Sequence, residues 1–258
     1  MSRIKELATV FNHYKTYPRR CYDKIRFVKV FQERYPQDHY SKEVEILLSM
    51  QGYEPAQRGA DLPWWGKEYF SNKKGFRVMV ICQDSLTEDA GSVVFAAQFF
   101  SSGIGYSQYK DFYKEYLNLV GVNKYFSPNK VRTVIKQFDQ WNIDFDYLYI
   151  TDACKVYNYN SWKDRDFDRD KSKLLLEAEI ELCNPNLIIL LGSSPLRLLG
   201  VDNYSEAVES GKSIIINGQT CVAAPFFIGQ GPSGNRNGLG FKRRLEIASN
   251  LIKNIIVN

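Results

Sequence analysis

The sequence predicts an α/β protein, a three-layer α/β/α domain around a central, mostly parallel, four-stranded sheet. Three observations carry this. The runs at 76–82, 147–151 and 187–191 are strand-length and largely apolar, as strands covered on both faces should be. Stretches with apolar residues at helical spacing separate them. Strands alternating with helices imply right-handed crossovers, which place helices on both faces of a parallel sheet.

In chain order, residues 1–70 read as a helical N-terminal extension and residues 71–258 as the main domain. Ile4, Leu7, Phe11 and Tyr14 repeat at helical spacing, as do Val44, Leu47 and Leu48. Residues 52–63 form a loop, with Trp64 and Trp65 expected to pin it to the body. After the strand at 76–82, helical spacing returns at Tyr109, Tyr113, Tyr116 and Val120. It returns again at Val131, Val134, Phe138 and Trp141, where Ser127-Pro128 is a good helix start. The strand at 147–151 leads into a polar, solvated loop over 157–170. A helix over 171–183 stops before Pro185. Beyond the third strand, Ser194-Pro195 is expected to cap a short helix ending near Gly200. Residues 213–216 and 219–224 flank Asn217-Gly218, a pair suited to the type I′ turn of a hairpin. Phe241, Leu245, Ala248, Ile252 and Ile255 stripe a final helix.

The chain has 258 residues, 44% hydrophobic, enough to bury one full core. No apolar run reaches the roughly 18–20 residues that span a bilayer. The first residues are charged throughout and lack the apolar centre of a signal peptide. The expectation is a cytoplasmic protein with no membrane partner. Cys21, Cys82, Cys154, Cys183 and Cys221 form no Cys-x-x-Cys pair, which argues against a zinc or iron–sulfur site. The cysteines in apolar runs read as small, reduced core residues. His13 and His39 are the only histidines, so chemistry in the later chain proceeds without His. A net charge of +5 permits a polyanionic partner without demanding one.

Ligands of open parallel sheets bind beyond the carboxyl ends of the strands. The site is therefore expected in the segments that follow each strand: 83–85, 152–155, 192–194 and 227–240. These carry a resemblance to the uracil-DNA glycosylase superfamily. Val80-Ile81-Cys82-Gln83-Asp84 resembles its water-activating motif. Ala97-Gln98-Phe99-Phe100-Ser101 is similar to the later part of that loop, where a Phe stacks under a flipped base. Residues 149–155 resemble the strand end that carries the base-reading Asn, with Asp152 in its place. Asn184-Pro185 through Gly192-Ser193 resembles the segment whose small residues approach DNA phosphate. Gly231-Pro232-Ser233-Gly234-Asn235-Arg236 resembles the intercalation loop. The resemblance spans about residues 76–257, and the order of its motifs carries more than any one of them.

That resemblance implies a DNA glycosylase without metal or organic cofactor, acting on a base extruded from DNA. Asp84, with Gln83 beside it, is the implied catalytic pair; the carboxylate positions water and stabilises oxocarbenium character on the sugar. The local alternative is Asp84 capping a turn. Phe100, or Phe99 one register away, either stacks on the base or fills the core. Ser193 and Ser233 either donate to phosphates or cap helices and turns. Pro232, Asn235 and Arg236 fall on the implied DNA-binding loop, with Arg236 entering the duplex gap or holding phosphate. The glycines between 229 and 240 let backbone N–H groups approach phosphates, or mark a surface loop. Lys242, Arg243 and Arg244 extend the basic face or form the solvated side of the last helix.

Two departures refine the expectation. A carboxylate at 152 only accepts hydrogen bonds, whereas an Asn amide donates and accepts. Asp152 would repel O4 of uracil but accept from the amine of cytosine, and burial favours a neutral acid able to donate as well. The implied substrate is a cytosine-type base, modified at C5 as in some viral DNA, which suggests antiviral defence. The second departure is Gly231, where many relatives carry His; backbone N–H groups, Gln230 or Asn235 must then serve the base oxygen. Two other readings stay open: a catalytically silent module that binds modified nucleic acid, and a hydrolase of free nucleosides or nucleotides.

Overall fold

A computed structural model describes residues 63–83, 128–154, 169–227 and 239–257, with isolated helical positions at 3, 6, 7, 10, 111 and 114. Among the described residues the chain forms one six-stranded mixed sheet and five α-helices. In order these are β1 (Trp64–Trp65), β2 (Val78–Cys82), α1 (Pro128–Gln140), β3 (Leu148–Asp152), α2 (Arg169–Cys183) and β4 (Leu187–Leu191). There follow α3 (Ser193–Leu198), α4 (Tyr204–Glu209), β5 (Ile214–Ile216), β6 (Gln219–Ala224) and α5 (Phe241–Val257).

The α/β class is as expected, but the sheet is not the four-stranded, mostly parallel one. Its strand order is β1-β3-β2-β4-β6-β5. Parallel pairs join β3, β2, β4 and β6. Antiparallel strands border this centre on both sides, β1 on β3 and β5 on β6. The sequence concealed β1 because two residues cannot display alternation. Trp64 and Trp65 pair with Ile150 and Tyr149, so they extend the sheet instead of merely pinning a loop.

β2, β3 and β4 are buried on both faces, and each face of the sheet has its own helical cover. Val78, Val80, Leu148, Ile150, Ile189 and Val222 pack under α1 and α5, which contribute Val131, Val134, Phe138, Ala248 and Ile252. Met79, Ile81, Tyr149, Ile188 and Leu190 pack under α2, α3 and α4, through Leu175, Ile180, Leu196 and Val208. Leu7, fully buried, joins this second layer. Trp64, Trp65 and Tyr69 are core residues, so the segment just before residue 71 is part of the same packed body.

Local chemistry explains the boundaries. α2 ends where Asn184 takes φ 43°, a left-handed cap, directly ahead of Pro185. Asn186 then ties β4 to β2, its side-chain oxygen accepting from the Arg77 N–H at 2.8 Å. The β5–β6 turn has φ 49° at Asn217 and 79° at Gly218, the paired positive angles of type I′. The last helix keeps its stripe through Ala248 and Ile252. Arg244 joins neither the basic face nor the solvated side: it is 2% exposed and bridges to Glu209 of α4.

Candidate functional site at the carboxyl edge of the sheet

The chain leaves β2 for β3 on one side, then returns past β2 to β4 and β6 on the other. Right-handed crossovers in opposite directions put α1 and α2 on opposite faces, as their packing shows. The order reverses between β2 and β4, and in sheets of this kind ligands are held beyond the carboxyl ends at such a reversal.

Backbone hydrogen bonds continue past the strands and make this edge rigid. Ala153 N–H donates to Cys82 O at 2.8 Å, Cys154 N–H to Gln83 O at 2.8 Å, and Gly192 N–H to Ala224 O at 2.9 Å. These bonds tie the end of β3 to that of β2 and the end of β4 to that of β6. Gln83, Asp152, Gly192 and Ser193 all lie on this edge.

Asp152 is the last residue of β3 and only 1% exposed. It stands in register with Cys82, the last residue of β2. Side chains alternate along a strand, so Asp152 shares the face of Leu148 and Ile150, the side covered by α1 and α5. Cys82 and Cys154, both buried and outside any disulfide, lie beside it in the fold.

Gln83 crosses the switch point. The Ser194 hydroxyl donates to Gln83 Oε1 at 2.7 Å. Ser194 does not act as the expected cap. α3 begins one residue earlier, and Gly192 is its N-cap with no side-chain cap bond. Gly192 has φ 84° and ψ −174°, a region open essentially to glycine alone. That turn carries the chain from β4 into α3 and lets residue 194 face β2. Ser193, the implied phosphate donor, opens α3 and is partly exposed. On the other flank, the β-carbon position of Gly192 lies 3.7 Å from Phe226 Cβ. Phe227 is taken up in packing, edge-on to Trp141 at 5.5 Å.

The remaining implied site residues, Asp84, Phe99, Phe100, Pro232, Ser233, Asn235 and Arg236, lie outside the described residues. The structure therefore brings together Gln83, Asp152 and Ser193 from the sequence reading. Ser194 and Gly192, both in the post-strand segment 192–194, join them on this edge. Arg244 belongs elsewhere. Its guanidinium contacts Glu209 and Ser205 and lies 5.8 Å from the Tyr204 ring centroid, so it fastens α5 to α4. Arg244 in turn holds the Glu209 carboxyl below its ordinary pKa.

Among the described residues no cluster of His, Cys, Asp and Glu is arranged to hold a metal ion. Nor is any described helix long and apolar enough to cross a membrane. The sequence matches no protein-family model and no curated protein.

Proposed function

We propose that this edge holds a pyrimidine extruded from DNA and that the chain is a monofunctional DNA glycosylase. The observation that supports the reading best is the position of Asp152. An acidic side chain 1% exposed ends a central strand beside the switch point. A carboxylate accepts hydrogen bonds, as from an exocyclic amine. That favours a cytosine-type base, including one substituted at C5, over uracil, and is consistent with a role in defence against modified viral DNA.

In this reaction water attacks C1′ of the sugar as the C1′–N bond breaks. The bond's electron pair leaves with the base, which takes a proton, and an abasic sugar remains. The base-departing step develops positive charge on the sugar. Asp84, the residue after Gln83 in the chain, is the group assigned to position the water and stabilise that charge.

The test is a panel of duplexes carrying uracil, cytosine or a C5-substituted cytosine at one site. Released bases are identified by mass spectrometry, and abasic sites by alkaline strand scission. We expect release of a cytosine form by the unaltered protein and a shift toward uracil in Asp152→Asn. Preference for uracil in the unaltered protein would overturn the substrate assignment. Tight binding of a modified duplex without any release would replace the enzyme with a base-binding module.

A further inference from the structure

We propose that β5 is a self-association edge, on which a second copy of this chain pairs strand to strand about a twofold axis. β5 ends the sheet and pairs on one side only, with β6. The tight turn at Asn217-Gly218 makes Ile216 and Gln219 a hydrogen-bonded pair, and such pairs alternate along an antiparallel ladder. Ile214 and Ile216 therefore bond inward to β6, and the N–H and C=O of Ile215 point outward. Neither has a partner among the described residues. An edge of this kind is a template for another strand, and folded proteins commonly blunt it with charge or proline. β5 itself is three isoleucines.

The surroundings of the strand fit a second copy. Set antiparallel with Ile215 opposite itself, two copies exchange both Ile215 hydrogen bonds and bring their Ile215 side chains together. That side chain is 64% exposed, on the face opposite Ile214 and Ile216, which pack with the core. The same register sets Lys212 against the partner's Gly218, at the tip of the hairpin. Beside that tip a groove of about 700 Å³ runs between α2 and the hairpin, over Ile188 and Ile216. Its lip carries Leu174, 49% exposed, with Glu177 and Glu181. Asn217 donates to Glu177 at 3.2 Å, which sets the acidic lip against the hairpin tip. Lys212 and Glu181 are both exposed, and neither makes an ion pair among the described residues. Lys212 of each copy thus meets the acidic lip of the other. The edge complements itself in hydrogen bonding, in apolar contact and in charge, and the charge fixes the register.

The test is sedimentation equilibrium of the full chain over a concentration series, where we expect a monomer–dimer equilibrium. Ile215→Pro removes the outward N–H and spares the ladder to β6, since proline is tolerated on an edge strand where its nitrogen faces solvent. The twofold axis doubles each loss, so this variant should weaken the dimer roughly 10- to 100-fold. Ile215→Lys keeps the N–H but sets a cation against its own copy. It should also weaken the dimer, and it serves if the proline variant does not fold. Lys212→Glu and Glu181→Lys should each weaken association by placing like charges together. Combined in one chain they exchange the two charges and should restore it, which a general effect of surface charge would not do. A chain that is monomeric at every concentration overturns the proposal and leaves the edge to an extended peptide of another protein. A dimer that neither Ile215 variant weakens, or a double charge variant no stronger than its parents, overturns it equally. None of these outcomes depends on base release, so the proposal and the glycosylase reading stand or fall separately.

Discussion

Removing the Tyr149 hydroxyl is the sharpest test of how the second face of the sheet is held. Tyr149 lies in β3, is fully buried, and donates from its hydroxyl to Glu179 Oε1 of α2 at 2.6 Å. Glu179 is also fully buried. Burial, followed by the neighbouring Cys183 and Glu179, holds the phenol well above its ordinary pKa, so it remains a donor. The ring stacks on Trp65 at 6.0 Å and tilts against Tyr69 at 5.3 Å, contacts that Tyr149→Phe retains. The substitution therefore subtracts one hydroxyl and leaves a buried carboxyl short of one donor. The cost expected is about 1–3 kcal/mol, larger than the net value of an average hydrogen bond because a desolvated group loses its partner. Glu179→Leu should cost a similar amount by removing the carboxyl that accepts from the phenol. The double variant should cost less than the two together, since replacing both partners by apolar groups removes the unsatisfied atom. Urea unfolding reads all three as changes in midpoint at unchanged slope. Costs that simply add, or a Tyr149→Phe shift below about 0.5 kcal/mol, the range of ordinary surface changes, would refute the reasoning.

Two further predictions concern the same architecture. Burial holds Tyr69 well above its ordinary pKa, and pushes Tyr204 and Cys221 each up to about 12. The unfolded chain therefore releases these protons first, so stability is full below about pH 9 and falls as pH rises beyond it. Urea midpoints flat from about pH 8 to 11 would contradict this. Gly192→Ala should destabilise by about 1–3 kcal/mol through the backbone alone, because the added methyl meets Phe226 at an ordinary 3.7 Å. A thermal midpoint unchanged from the unaltered protein would show that the turn tolerates a side chain.

The parts of this fold that were readable locally are those decided locally. Asn217-Gly218 specifies its turn because both residues accept positive φ. The apolar runs of β2, β3 and β4 announce strands covered on both faces, and Val131, Val134 and Phe138 announce one buried stripe. What escaped depends on partners distant in the chain. β1 is a strand only because β3 offers it an edge. Arg244 looked like the solvated start of a helix, yet Glu209, thirty-five positions earlier, draws it inside. Ser194-Pro195 has the composition of a cap, but the bond that matters runs from Ser194 to Gln83. The carboxyl edge was legible as a set of post-strand segments. Which side chains meet there was not, because the reversal of strand order decides it.

The buried ionisable groups of this molecule occupy two kinds of position. Glu179, Arg244 and Asp152 are each nearly or wholly inaccessible. The first two join elements that must be fastened. Glu179 links α2 to β3 through Tyr149, and Arg244 links α5 to α4 through Glu209 and Ser205. Both lie within the helical layers, where an apolar pair of equal volume could serve as well or better. Asp152 lies at the end of a strand instead, where the parallel centre of the sheet meets its carboxyl edge. Sequences that specify a fold consistently tend to break local rules at functional sites. The run Leu148, Tyr149, Ile150 and Thr151 obeys the pattern of a strand covered on both faces, and Asp152 is where it stops obeying. A side chain kept for stability would belong to the first kind of position. Asp152 belongs to the second, one strand away from Gln83, whose Oε1 accepts from the Ser194 hydroxyl across the switch point.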